Sequence, residues 1–107
     1  MSTYGIATLR NVVMGPGIVE YLERIDATLE PFGGEFVVHG GAYELLEGDW
    51  SGDVIIIEFP DRARAHGWYQ SLAYREILPL RTENSEADII FIDTVPENHK
   101  ATDVLAT

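Results

Sequence analysis

Apolar positions along the chain change period from element to element. The run TYGIATLRNV, residues 3–12, reads as a first strand that ends before the Gly15-Pro16-Gly17 turn. Ile18, Leu22, Ile25, Leu29 and Phe32 then recur at alternating steps of four and three. That spacing predicts one apolar stripe on a helix whose other side carries Glu20, Glu23, Arg24 and Asp26. Pro16 fits the first helical turn, where its missing N–H is not needed, and Gly33-Gly34 fits the end. Residues 35–46 predict a second strand with a bulge or a close backbone approach at Gly40-Gly41, and a turn over Gly48–Gly52 leads into a third strand at residues 53–59.

Asp61 is placed to cap a second helix in which Ala65, Trp68, Tyr69 and Leu72 share a face, although Gly67 inside it costs about 1 kcal/mol relative to Ala. Ser71 caps a further short helix through Tyr74 and Ile77, which Pro79 is expected to bend or interrupt before Arg81. DIIFIDTV, residues 88–95, is the last strand. The order β-α-β-β-α-β predicts a ferredoxin-like α+β fold: a four-stranded antiparallel sheet with the helices on one face. VIII and IIFI lack the polar alternation of a sheet wetted on one side. Both faces therefore need cover, and a second copy laid face to face supplies it as a two-chain barrel. Residues 1–95 form the single domain, and PENHKATDVLAT is a tail, disordered or draped over the partner.

Composition narrows the function. With 107 residues the chain fits one core, and a domain of this size buries only a little over about 60% of its unfolded surface, so self-association adds useful burial. Eighteen acids against seven bases give a formal charge of -11, which repels nucleic-acid and anionic lipid surfaces. The absence of cysteine removes disulfides, thiolate metal sites and Cys nucleophiles. His39, His66 and His99 show no metal-ligand spacing, and no nucleotide-binding or serine-hydrolase motif is present. No apolar run spans a bilayer and the N-terminus lacks the pattern of a signal peptide, so the expected setting is cytoplasmic.

GGEFVVHGG, LEGDW and VIIIEFPDRARAHGWYQSLAYREILPLR, in that order and spacing, resemble the family known as domain of unknown function 1330, a member of the dimeric α+β-barrel group. The resemblance spans residues 3–95, and it implies a homodimer with a pocket in each subunit. Many family members carry Arg where this chain has His39. More distant relatives of the fold include cofactor-free monooxygenases, lactone isomerases and haem-binding proteins, so the resemblance implies no particular reaction.

Five residues stand out as candidates for chemistry. Glu58 lies in line with Val54 and Ile56, while Ile55, Ile57 and Phe59 point the other way. On an apolar face it suits general acid or base work; alternatively it reaches solvent or bonds a backbone amide or an Arg. His39, beside Gly40-Gly41, can move a proton near neutral pH or serve as a hydrogen-bonded structural residue. Arg81 is a clamp for a carboxylate or phenolate, or the ion-pair partner of an acid such as Glu58. Tyr74 and Trp68 are pocket walls, with core or interface packing the alternative for Trp68. Two function classes remain: an enzyme acting on a small, partly apolar molecule by proton transfer without a tightly held cofactor, and a non-catalytic small-molecule binding or interaction module.

Overall fold

The computed structural model describes residues 1–106. Strand β1 (Thr3–Arg10) leads into helix α1 (Pro16–Leu29), which tightens into a 3₁₀ turn over Glu30–Phe32. Strands β2 (Glu35–His39) and β3 (Asp53–Phe59) follow, then helices α2 (Arg62–Gln70) and α3 (Leu72–Thr82), strand β4 (Glu86–Asp93) and a last 3₁₀ turn over Ala101–Ala106. The sheet order is β2-β3-β1-β4 with every pair antiparallel. The first and third strands are therefore central, and the helices cross one face.

Local chemistry sets the helix ends. Pro16 opens α1, and Gly33 closes the turn after it at φ 67, with its N–H on the Glu30 carbonyl and that of Gly34 on the Leu29 carbonyl. Asp61 Oδ1 accepts from the Arg64 N–H at 2.7 Å, which caps α2. Ser71 ends one helix and starts the next: its hydroxyl donates to the Trp68 carbonyl at 2.7 Å and accepts from the Tyr74 N–H at 3.2 Å. Gly67 leaves room for Phe32, whose ring carbon would stand 2.9 Å from an added Cβ.

Several boundaries differ from those predicted. β1 stops at Arg10 rather than residue 12, because Asn11 turns to φ 52 and Val13 bonds the Asn84 carbonyl. β2 has five residues instead of twelve; beyond His39 the chain leaves the sheet through Gly40 and Gly41, at φ 69 and 100. The bulge falls earlier, where Phe36 pairs with Ile57 and Val38 with Ile56, leaving Val37 as the extra residue. β4 begins two residues before the expected start, at Glu86. Pro79 does not interrupt α3, which runs on to Thr82 with the Glu83 N–H bonded to the Pro79 carbonyl. Burial of Tyr74, Ile77 and Arg81 along one side holds the helix through the missing bond.

The core lies between sheet and helices: Tyr21, Ile25 and Leu29 from α1, Ile57 and Phe59 from β3, and Ala65, Trp68, Tyr74 and Ile77 from the helical pair. Tyr21 and Thr28 take buried places on the α1 stripe while Leu22 stands at its exposed edge. On the opposite sheet face, register aligns Ile6 with Ile56 and Ile90, and Tyr4 with Glu58 and Ile92. Among the described residues nothing covers this apolar surface, and Ile90 is 53% exposed. None of the described helices is long and apolar enough to cross a membrane.

Candidate functional site

Between sheet and helices the core encloses a cavity of about 100 Å³. A single water needs roughly 10–15 Å³ on this scale, so the hollow has room for a small organic molecule. Its origin lies in β1, the central strand: Gly5 and Ala7 face the helices and project almost nothing, while Ile55 and Ile57 flank them on β3 and Ile89 and Phe91 on β4. A Cβ on Gly5 would already stand 3.2 Å from the Phe91 ring. Small side chains in the middle of a sheet whose neighbours are long leave a hollow beneath the helices.

The polar end of the cavity comes from the helices. Tyr74 and Arg81 are seven residues apart on α3, two turns along one side, and both are buried, Arg81 to 5% exposure. Tyr21 meets them from α1, with its hydroxyl 2.7 Å from that of Tyr74. Burial first, and then the neighbouring Tyr74, push the Tyr21 hydroxyl far above its ordinary range, so it stays a neutral phenol. For Arg81, burial works against the charge, and the Tyr74 and Tyr21 hydroxyls outweigh it, raising the guanidinium above its usual value. Arg81 nevertheless forms no ion pair among the described residues, and its Nε is buried without a hydrogen-bond partner.

Trp68 forms the aromatic wall. Its indole N–H donates to Thr28 Oγ1 at 3.0 Å, and its ring packs 4.1 Å from Tyr74 and 5.4 Å from Phe59, centroid to centroid. His39 reaches the cavity by a different route. Strict alternation along β2 would set it on the opposite face from Phe36. The extra residue Val37 shifts the register, so Phe36 and His39 both face the helices and stack with ring centroids 4.3 Å apart. His39 is the exposed polar member of the lining and stands where the cavity meets solvent.

His39, Trp68, Tyr74 and Arg81 are thus brought together as walls of one cavity, and Glu58 is not. Glu58 projects from the other side of the sheet, aligned with Tyr4 and Glu35, and its Oε2 accepts from the Ser2 hydroxyl at 2.6 Å. The alternative for Arg81, an ion pair with Glu58, does not form among the described residues. Trp50 is half-exposed in the loop after β2 and meets Tyr43 edge to face. The reading of the sequence passed over Tyr21. It stands three residues after Ile18 and four before Ile25, on the buried stripe, where a hydroxyl requires a polar partner inside the fold. No group of described residues is arranged to hold a metal ion.

A four-stranded antiparallel sheet, helices on one face and an apolar hollow ending in one guanidinium define a ferredoxin-like α+β protein with a cavity of small-molecule size. Residues 2–95 match the model of the domain of unknown function DUF1330, and the chain belongs to that family. Among solved structures it is similar to a protein of unknown function from Rhodopseudomonas palustris, at 22% identity and a TM-score of 0.67, over 89% of this chain and 83% of that one. It is also similar to a dimeric ferredoxin-like protein of unknown function from Jannaschia sp., at 10% identity and a TM-score of 0.63, over 88% of this chain and all of that one (100%). A third likeness, at 12% identity and a TM-score of 0.54, is to SnoaB, a cofactor-independent oxygenase from Streptomyces nogalater, over 92% of this chain and 96% of that one. At these identities the likenesses establish the shared fold. No curated protein matches the chain.

Proposed function

We propose that the protein is a homodimeric enzyme that holds a small, partly apolar molecule in this cavity and acts on it by proton transfer, without a tightly bound cofactor. The observation that carries the reading is the convergence of His39, Trp68, Tyr74 and Arg81 on one otherwise apolar hollow. Arg81 orients the polar end of the molecule, Trp68 and Tyr74 form the walls, and His39 exchanges protons between the cavity and solvent. Glu58 belongs to this reading only as a group of the opposite sheet face, so its part is assigned to the subunit interface rather than the cavity. The uncovered apolar face supports pairing with a second copy, as does the dimeric description of a protein with the same fold. The cofactor-independent oxygenase on this fold supports chemistry by side chains and substrate alone. We place the protein in the cytoplasm, for which the cysteine-free sequence is suited.

One observation favours the non-catalytic alternative: no carboxylate lines the cavity among the described residues, so His39 is left as the one candidate base among them. Incubation of the protein with a small-molecule cell extract in D₂O distinguishes the two. The enzyme reading expects some species to gain one mass unit with the wild type and none with His39→Gln. No gain in either, with a ligand still retained in native mass spectra, would leave a binding module. A subunit that retains nothing under both conditions would remove the cavity as a site.

A further inference from the structure

Resting on that reading of the cavity, we infer that its occupant is a small apolar monoanion, a carboxylate or phenolate on a body of about one ring, with its charged oxygen between Arg81 and the Tyr21–Tyr74 hydroxyl pair.

The first ground is a missing counter-ion. The chain carries eighteen acids, yet none of them lines the cavity among the described residues and none pairs with Arg81. Arg81 is 5% exposed, so bulk solvent offers its charge little compensation. A buried guanidinium without a carboxylate is an unfavourable arrangement for a folded chain, and an anionic ligand resolves it.

The second ground is the count of donors. Two phenols carry two protons, and the 2.7 Å bond between Tyr21 and Tyr74 uses one of them. One O–H remains free, and the Arg81 Nε–H is also without a partner. Among the described residues at this end, the side-chain acceptors are the phenol oxygens themselves, so the complementary group is one that accepts and does not donate. Carboxylates and phenolates meet that condition; alcohols, amines and primary amides bring donors that find few places.

Charge and size restrict the class further. One permanent positive charge faces the hollow, which matches a single negative charge, whereas a phosphomonoester dianion would leave surplus charge among Ile25, Ile57 and Phe59. The volume of about 100 Å³ is of the order of the roughly 150 Å³ apolar cavity that accepts benzene in an engineered protein. A monocyclic or short branched acid fits, and a fused-ring molecule does not.

Trp68 supplies the readout, because the chain has two tryptophans and Trp50→Phe leaves Trp68 as the sole tryptophan. Fluorescence titrations of that variant compare benzoate, phenylacetate and 3-methylbutanoate with their alcohols, and benzoate with phenyl phosphate. The expected result is at least about tenfold tighter binding of each acid than of its alcohol, and of benzoate than of phenyl phosphate. Adding Arg81→Met should weaken the acids at least about tenfold and shift the alcohols by less than about threefold. Should Arg81→Met fail to fold, the wild-type pairs of acid and alcohol decide alone. Alcohols binding as tightly as acids would overturn the monoanion while leaving a working cavity, and phenyl phosphate outbinding benzoate would overturn its single charge. Saturation by none of the probes would overturn the cavity reading and this inference together.

Discussion

Replacing Arg81 with Met should make the ligand-free protein more stable, an outcome opposite to the usual effect of a core substitution. Arg81 is 5% exposed, has no ion pair among the described residues and leaves Nε without a partner. A buried donor left unsatisfied costs about 1–3 kcal/mol, and buried ionic groups replaced by apolar side chains of similar volume have given gains of about 1–4 kcal/mol. Against this stands the position of Arg81 in the last turn of α3, where a cation interacts with the helix dipole by about 0.3–1 kcal/mol. The Tyr21 and Tyr74 hydroxyls also return part of the desolvation cost, as the raised pKa of Arg81 records. The net expectation is a gain of about 1–2 kcal/mol, or a rise in Tm of at least about 4 °C. Guanidinium denaturation and calorimetry, at one fixed protomer concentration and without ligand, measure it. Arg81→Ala is the control: it removes the same charge but leaves a void, and should fall below the Met variant by about 2 kcal/mol or more. A Met variant with a lower midpoint than the wild type would refute the account, because the guanidinium would then have a structural partner worth more than its desolvation.

The raised pKa of the Tyr21 hydroxyl makes the unfolded chain lose this proton first, so stability should fall above about pH 10 by up to about 1.4 kcal/mol per pH unit. Tyr21→Phe should flatten that alkaline limb in denaturant titrations between pH 8 and 11; an unchanged slope would contradict the burial of the phenol. Ala7→Leu projects into the hollow from the central strand and should abolish the Trp68 response to benzoate while changing stability by less than about 1.5 kcal/mol, as judged by thermal melts. Ile90→Lys sets a charge on the uncovered sheet face, and sedimentation velocity should show dissociation to monomers; a dimer of undiminished mass would place the subunit contact elsewhere.

Elements whose cause is local could be read from the chain. Asp61 and Ser71 cap their helices through hydroxyl and carboxylate groups a few atoms from the amides they accept, so the residue type suffices. The alternation along β3 was also legible, separating Glu58 from Ile55, Ile57 and Phe59. Alternation says which residues share a face, but it does not say which face the helices cover. That choice depends on contacts across the whole fold, and it sends Glu58 away from the cavity. Pro79 misled for a related reason: the propensity of one residue was set against the burial of a helix side whose depth appears only after folding. Tyr21 was visible as a position on a stripe, yet its role needs Tyr74, fifty-three residues later, to give it meaning.

The single surplus residue in β2 has a consequence for how this cavity changes over time. Phe36, Val38 and His39 already pair with Ile57, Ile56 and Ile55 as an unbroken ladder would, so deleting Val37 would remove the bulge and leave the imidazole on the helix side, with Gly5, Ala7, Tyr74 and Arg81 untouched. The bulge therefore buffers the entrance against chain length. A one-residue deletion at this point of the edge strand keeps the group that greets an incoming molecule and leaves the buried anchor as it was. The edge position makes such a change tolerable, since only one neighbouring strand must adjust. Selectivity at the entrance and charge recognition at depth can thus drift independently, each by substitution at its own positions, while the bulge absorbs the indel.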